Sequence, residues 1–169
     1  SLTVDVLHCI NLGVLLVWCR NVVWMLIVSH VWTAAGTLEE VQELSALAIR
    51  NDLKSFYRAH RTECPGDNLT QVGNFTKKML GDHSDKKLKT KGAETWGFFL
   101  FLLRKLQAVH GQVGVHATTM LKAGRALESM LRVWNSHGPI MPLSATHTCL
   151  DHWNRCCALS ADVPVLQSP

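Results

Sequence analysis

The sequence predicts an all-α chain: an up-up-down-down four-helix bundle with an apolar N-terminal leader and no evident full-length fourth helix. Three observations predict it. Residues 93–134 read as two amphipathic helical arms joined by a glycine-containing turn. Residue Thr37 opens another helix with a capping-box sequence. The connections are long, then short, as a parallel pair followed by an antiparallel one requires.

The second arm of the 93–134 region has the cleaner face. Met120, Ala123, Leu127, Met130, Leu131 and Trp134 follow helical spacing, with Lys122, Arg125, Glu128 and Arg132 opposite. On the first arm Trp96, Phe99, Leu100, Leu103 and Leu106 form a stripe that Phe98, Phe101 and Leu102 widen. Only Arg104, Lys105 and Gln107 are left for water, so this arm must pack against more than one neighbour. Gly111 and Gly114 are expected at a turn of about five residues, which would set the arms antiparallel.

Upstream, Thr37-Leu38-Glu39-Glu40 has a hydroxyl to accept from an early backbone N–H and a glutamate three residues on to reach back. Leu38, Val41, Leu44, Leu47 and Ala48 begin the expected stripe, which drifts onto Ile49, Leu53, Phe56 and Tyr57. The helix should run to about Arg61, where Cys64-Pro65-Gly66-Asp67 stops it. After Trp134 the pattern decays. Asn135-Ser136-His137-Gly138-Pro139 ends the hairpin, and Met141 to Thr148 read as loop. Cys149 to Leu159 read as one short helix with Leu150, Trp153 and Cys157 inward.

A chain of 169 residues suits one compact domain that needs no disulfides to hold it. Three segments are expected: 1–36 as a signal peptide or membrane anchor, 37–160 as the helical domain, and 161–169 as a disordered tail. From Cys9 to Trp32 the leader is almost continuously apolar, broken by Arg20, Asn21, Ser29 and His30. As a secretory signal, Arg20 would be its positive flank and Thr33 to Gly36 its small-residue cleavage site. As an anchor, it would carry Arg20 near mid-membrane at a cost on the order of 2.5–3.5 kcal/mol. A buried core helix is disfavoured because the run has no polar face.

Residues 63–92 lose apolar periodicity and read as an exposed crossover. Two acceptor sequons lie there, Asn68-Leu69-Thr70 and Asn74-Phe75-Thr76. Together with the leader they favour the secretory route, with a single-pass membrane protein as the alternative. Lys77, Lys78, Lys86, Lys87, Lys89 and Lys91 form a basic run softened by Asp82 and Asp85. A solvated mobile loop is the plain expectation for it, and contact with a heparin-like glycan the functional one. No aromatic residue interleaves with these lysines, which argues against a base-stacking surface and nucleic acid. The net charge of +4 identifies no partner by itself.

The six cysteines follow no paired C-x-x-C framework. His147, Cys149, His152, Cys156 and Cys157 form the densest cluster of metal-capable groups, but in no standard zinc spacing, so no metal is expected. In a secreted chain Cys64 would pair with one of the three late cysteines, the connectivity being unreadable from sequence. Nucleophile elbow, phosphate-binding glycine loop and His-Glu-x-x-His helix are all missing. An enzyme or a cofactor is therefore not expected.

Leu44-Ser45-Ala46-Leu47-Ala48-Ile49-Arg50-Asn51-Asp52-Leu53-Lys54, leading to Tyr57, resembles the first helix of the ciliary neurotrophic factor and leukaemia inhibitory factor branch of the interleukin-6 superfamily. Trp96 to Val109, followed by Leu127-Glu128-Ser129-Met130-Leu131 and a Gly-Pro exit, is similar to that branch's second and third helices. The likeness covers Thr37 to Pro142. It implies a secreted, glycosylated four-helix cytokine or growth factor that binds cell-surface receptor chains without catalysis. It also implies a receptor site on the first and third helices, formed here by Arg50, Asp52, Lys54, Arg125, Glu128 and Arg132. The family's fourth helix has no evident counterpart after Pro142, and Phe75-Thr76-Lys77-Lys78 imitates its Phe-x-x-Lys pattern in a different loop. The membrane-anchored alternative is a helical interaction protein, also without catalysis.

Overall fold

A computed structural model describes residues 7–33, 36–81, 88–137 and 141–161. Among the described residues every regular element is helical, and the all-α class is established. A π-helical stretch, Leu7–Val14, runs into α1, Leu15–Val28. Then follow α2, Leu38–Glu63, the short α3, Lys77–Leu80, and α4, Gly92–Val113. The chain closes with α5, Val115–Ser136, and α6, Leu143–Ala161. Two compact units divide within α4, one running through Lys105 and the other from Leu106. The expected tail lies almost wholly outside the described residues.

In the first unit the apolar leader is packed as a core helix. Leu15, Cys19, Val22, Val23 and Leu26 are fully buried on α1. Trp18 meets Phe99 of α4 edge-on, with ring centroids 4.9 Å apart. The Trp24 indole donates to the Leu80 carbonyl at 3.3 Å, so the ring's one polar atom is satisfied inside the core. Helix α1 thus supplies part of the cover that the wide apolar surface of α4 demands. The remaining cover comes from Phe75, stacked on Phe98 at 5.2 Å, and from Phe56, edge-on to Phe101 at 5.8 Å. Arg20 is also buried, and its Nε has no hydrogen-bond partner.

Helix α2 starts where the sequence says it should. Thr37 Oγ1 accepts from the Glu40 N–H, and the Glu40 carboxylate accepts from the Thr37 N–H at 2.9 Å. Its buried face, however, is Val41, Ser45, Ala46, Ile49, Leu53, Phe56 and Tyr57. Leu38, Leu44 and Leu47, expected inside, are 44, 50 and 47 % exposed. Phase explains the correction. Ile49, Leu53, Phe56 and Tyr57 are the bulky anchors, and extending their row backward at helical spacing reaches Ser45 and Val41.

Most described residues of the crossover are exposed, as expected, but a few apolar ones strap it to the helices. Val72, Phe75, Leu80 and Leu88 are buried. Going along it, Asp67 contacts His60 at 3.1 Å, the Val72 N–H donates to the Tyr57 hydroxyl at 3.2 Å, and Asn74 accepts from Arg50 at 3.3 Å. Lys77 then bonds Glu39 at 2.7 Å. The strap therefore descends α2 from its C-terminal to its N-terminal end. Gly97 lets it lie close to α4: a Cβ there would meet the Thr70 carbonyl oxygen at 3.1 Å and the Tyr57 ring at 3.3 Å.

The second unit changes two expectations. A single residue, Gly114 at φ 115°, separates α4 from α5, a left-handed conformation that suits glycine. Gly111 is helical, and the expected five-residue turn shrinks accordingly. The late helix is also longer than expected, since α6 begins at Leu143 and takes in most of the predicted loop. Its inward residues are Ala145, Cys149 and Cys156, one turn or two apart, while Leu150 and Cys157 are exposed and Trp153 half-buried. The phase differs because the inward row is made of small residues. These pack close to α5, whose buried face also contains Ala117, Ala123, Gly124 and Ala126. The Cys149 thiol points at the Met130 carbonyl, 3.7 Å away.

Candidate partner-binding faces and glycosylation sites

The two halves of the expected receptor site lie in different units. On α2, Arg50 is half-buried; its Nη1 donates to Asn74 Oδ1, and its Nε is buried without a partner. Asp52 is the centre of a small polar cluster. It accepts from the Trp32 indole at 3.0 Å and from Lys105 Nζ at 2.8 Å, and Lys105 lies 5.6 Å from the Trp32 ring centroid. Charge, hydrogen bond and cation–π contact support one another there, so Asp52 has a structural task already. Lys54 is exposed, and only its carbonyl is engaged, by Arg58 Nε at 3.3 Å. The exposed strip of α2 is then Leu44, Leu47, Asn51, Lys54 and Arg58. Leu44 and Leu47 were missed as surface residues because hydrophobic spacing alone cannot say which of two overlapping stripes faces inward.

On α5 the expected residues do come together. Glu128 accepts from Arg125 at 2.8 Å and from Arg132 at 2.9 Å. The carboxylate is mostly covered, at 12 % side-chain exposure, whereas the guanidinium groups are 50 and 58 % exposed. What the face offers to a partner is two oriented cations, held by i,i+3 and i,i+4 pairing.

Both sequon asparagines, Asn68 and Asn74, are exposed on the strap. Of the basic run, Lys77 is tied to Glu39 and lies 3.8 Å from Glu43. Hydrogen bonding from Lys77 holds the Glu39 carboxyl below its ordinary value, and the same bond raises Lys77. Lys78 and Lys91 are exposed, Lys89 donates its backbone N–H to the Met79 carbonyl, and Lys86 and Lys87 lie outside the described residues. A shallow open depression of about 590 Å³ is lined by Asn74, Lys89, Lys91 and Glu94 among others.

Among the described residues no three His, Cys, Asp or Glu side chains are placed to hold one metal ion. The late cluster is split across α6: Cys149 and Cys156 point inward, while His147 and Cys157 are exposed. Burial pushes the Cys149 and Cys156 thiols above their usual range, which makes them poor nucleophiles. Cys19, Cys64, Cys149, Cys156 and Cys157 are all free thiols, so the expected link from Cys64 to a late cysteine is not formed here. Comparisons with protein families, with curated proteins and with solved structures find no match to this chain.

Proposed function

We propose that this chain is a secreted helical ligand of cell-surface receptor chains, of the four-helix cytokine type, acting by binding and not by catalysis. The observation that carries it is the exposure of both sequon asparagines on the crossover of an all-helical chain. A long α6 adds support, because a helix of 19 residues after Pro142 answers the need for a fourth member. The four helices this reading counts are α2, α4, α5 and α6. In this reading the receptor contacts are exposed Lys54 on α2 and, on α5, Arg125 and Arg132 held by Glu128.

The binding test uses glycoprotein purified from secretory cells and applied to receptor-bearing cells. Replacing Arg125 and Arg132 together by Gln should weaken cell-surface binding at least several-fold. The same variant should lower the melting temperature only modestly, because the arginine side chains are half exposed, although largely covered Glu128 loses both partners. Unaltered binding would remove this face from the proposal.

One observation favours a second reading, in which the leader is kept. Residues Ile10–Val28 form a helix long and apolar enough to cross a membrane. The same helix also packs against α4 through Trp18 and Phe99. A retained leader makes the chain either a five-helix secreted ligand or a membrane-anchored interaction protein. Terminal sequencing separates these outcomes. A start near Gly36 or Thr37 supports removal; an intact leader that resists carbonate extraction supports the anchor.

A further inference from the structure

The two sequons differ in what surrounds them. Asn68 lies in a tight bend, in which the Leu69 N–H donates to the Asp67 carbonyl, and the Asp67 side chain contacts His60 near the end of α2. Asn74 sits midway along α2, between two fixed points. Val72 before it is buried and donates to Tyr57, and Phe75 after it is 3 % exposed and stacked flat on Phe98. The Asn74 side chain is itself aimed. Its Oδ1 accepts from Arg50 Nη1, which leaves Nδ2 as the free end, and Nδ2 is the atom to which an N-linked sugar attaches. Attachment there keeps the carbonyl oxygen, so the bond to Arg50 survives modification. A sugar at Asn74 is therefore anchored beside Arg50 by a held side chain on a held backbone.

We propose that Asn74 carries an N-linked glycan that shields the Arg50 edge of α2, leaving the edge that bears Arg58 open to solvent. The proposal rests on the secretory reading above, and it assigns Arg50 a role opposite to direct receptor contact. Arg50 becomes the residue that orients the glycan.

The test uses the full chain from secretory cells as wild type, Asn68→Gln and Thr76→Ala. The last removes the Asn74 sequon yet keeps Asn74, its bond to Arg50 and the fold, because Thr76 makes no side-chain cap bond to α3. Glycan occupancy is mapped by mass spectrometry after enzymatic release, and phenylglyoxal labelling rates are read at Arg50 and at exposed Arg58. The expected result is an occupied Asn74 in wild type, with Arg50 labelled several-fold faster in Thr76→Ala and Arg58 labelled equally in both. An unmodified Asn74 beside an occupied Asn68 overturns the shield and leaves the secretory reading standing. Equal Arg50 labelling with and without the Asn74 glycan overturns it too. Two unmodified asparagines overturn both.

Discussion

Arg20 is one of four described residues, with Thr33, Ser45 and Arg50, that bury a side-chain polar atom without a partner. It is 4 % exposed within an apolar helix, and Nε finds no partner. Burying a polar group unpaired costs free energy that an apolar side chain of similar length avoids. Arg20→Met should therefore stabilise the full chain by on the order of 1 kcal/mol or more, read as a higher denaturation midpoint. No change would mean that α1 does not contribute to the folded core in solution. Gly97 tests the opposite kind of constraint. A helix interior ordinarily gains about 0.5–1 kcal/mol from Gly→Ala. Here the new methyl would press on the Thr70 backbone oxygen, which cannot rotate away. Gly97→Ala should be net destabilising by about 1 kcal/mol, as overpacked sites are. Neither constraint is legible in the sequence: Arg20 reads as a signal's positive flank or an anchor's mid-membrane charge, and the crowding at Gly97 comes from Thr70 and Tyr57, far away in the chain.

At the level of elements, local signals were read well and phases poorly. The start of α2 was legible because a capping box is local chemistry confined to four residues. The buried face of α5 was legible because its apolar residues follow one stripe; of the expected Met120, Ala123, Leu127, Met130, Leu131 and Trp134, only Trp134 is exposed, at 36 %. The start of α6 was not, since Thr146, His147 and Thr148 are weak helix formers. Their hydroxyls are satisfied within the helix: Thr146 donates to the Pro142 carbonyl at 3.1 Å and Thr148 to Ser144 at 3.0 Å. Pro142 was the available signal, as proline favours a helix's first positions. Cysteines at 149 and 156 were weighed as chemistry when they act as small apolar packing residues.

The capping box also makes a prediction. Thr37→Ala should cost about 1 kcal/mol in chemical denaturation. Glu40 is held below the ordinary carboxylate range by the Thr37 backbone and side chain, and Glu63 by Arg104, which it meets at 2.8 and 2.9 Å. These glutamates ionise more readily in the folded chain than in the unfolded one. Their stabilisation is present above the unfolded value of about 4.3 and is lost as pH falls through the lower folded values. Stability should decline over that acid range, with Thr37→Ala showing a smaller decline.

For the molecule as a whole, the all-helical class followed from the sequence, and the way its apolar surface is covered did not. The excess of aromatic and leucine residues on α4 announced a missing neighbour. Its identity required tertiary contacts, which bring Trp18, Phe56 and Phe75 from three separate segments onto one helix. The crossover changed meaning for the same reason, since four apolar residues scattered among polar ones show no period yet each finds a buried place. The geometry of the proposed contact residues was only partly legible. Arg125, Glu128 and Arg132 are three and four residues apart and had to meet, whereas the engagement of Arg50 with a sequon and of Asp52 with Trp32 depended on the path of the chain between them.

The central claim is that this chain travels the secretory route as a glycosylated helical ligand. Its most direct test is the intact mass of the chain recovered from the medium of secretory cells, before and after an amidase that releases N-linked glycans. The account predicts a product in the medium whose mass falls by whole glycans on treatment, converting sequon asparagine to aspartate. A chain found only inside the cell, with a mass that treatment leaves unchanged, would contradict it.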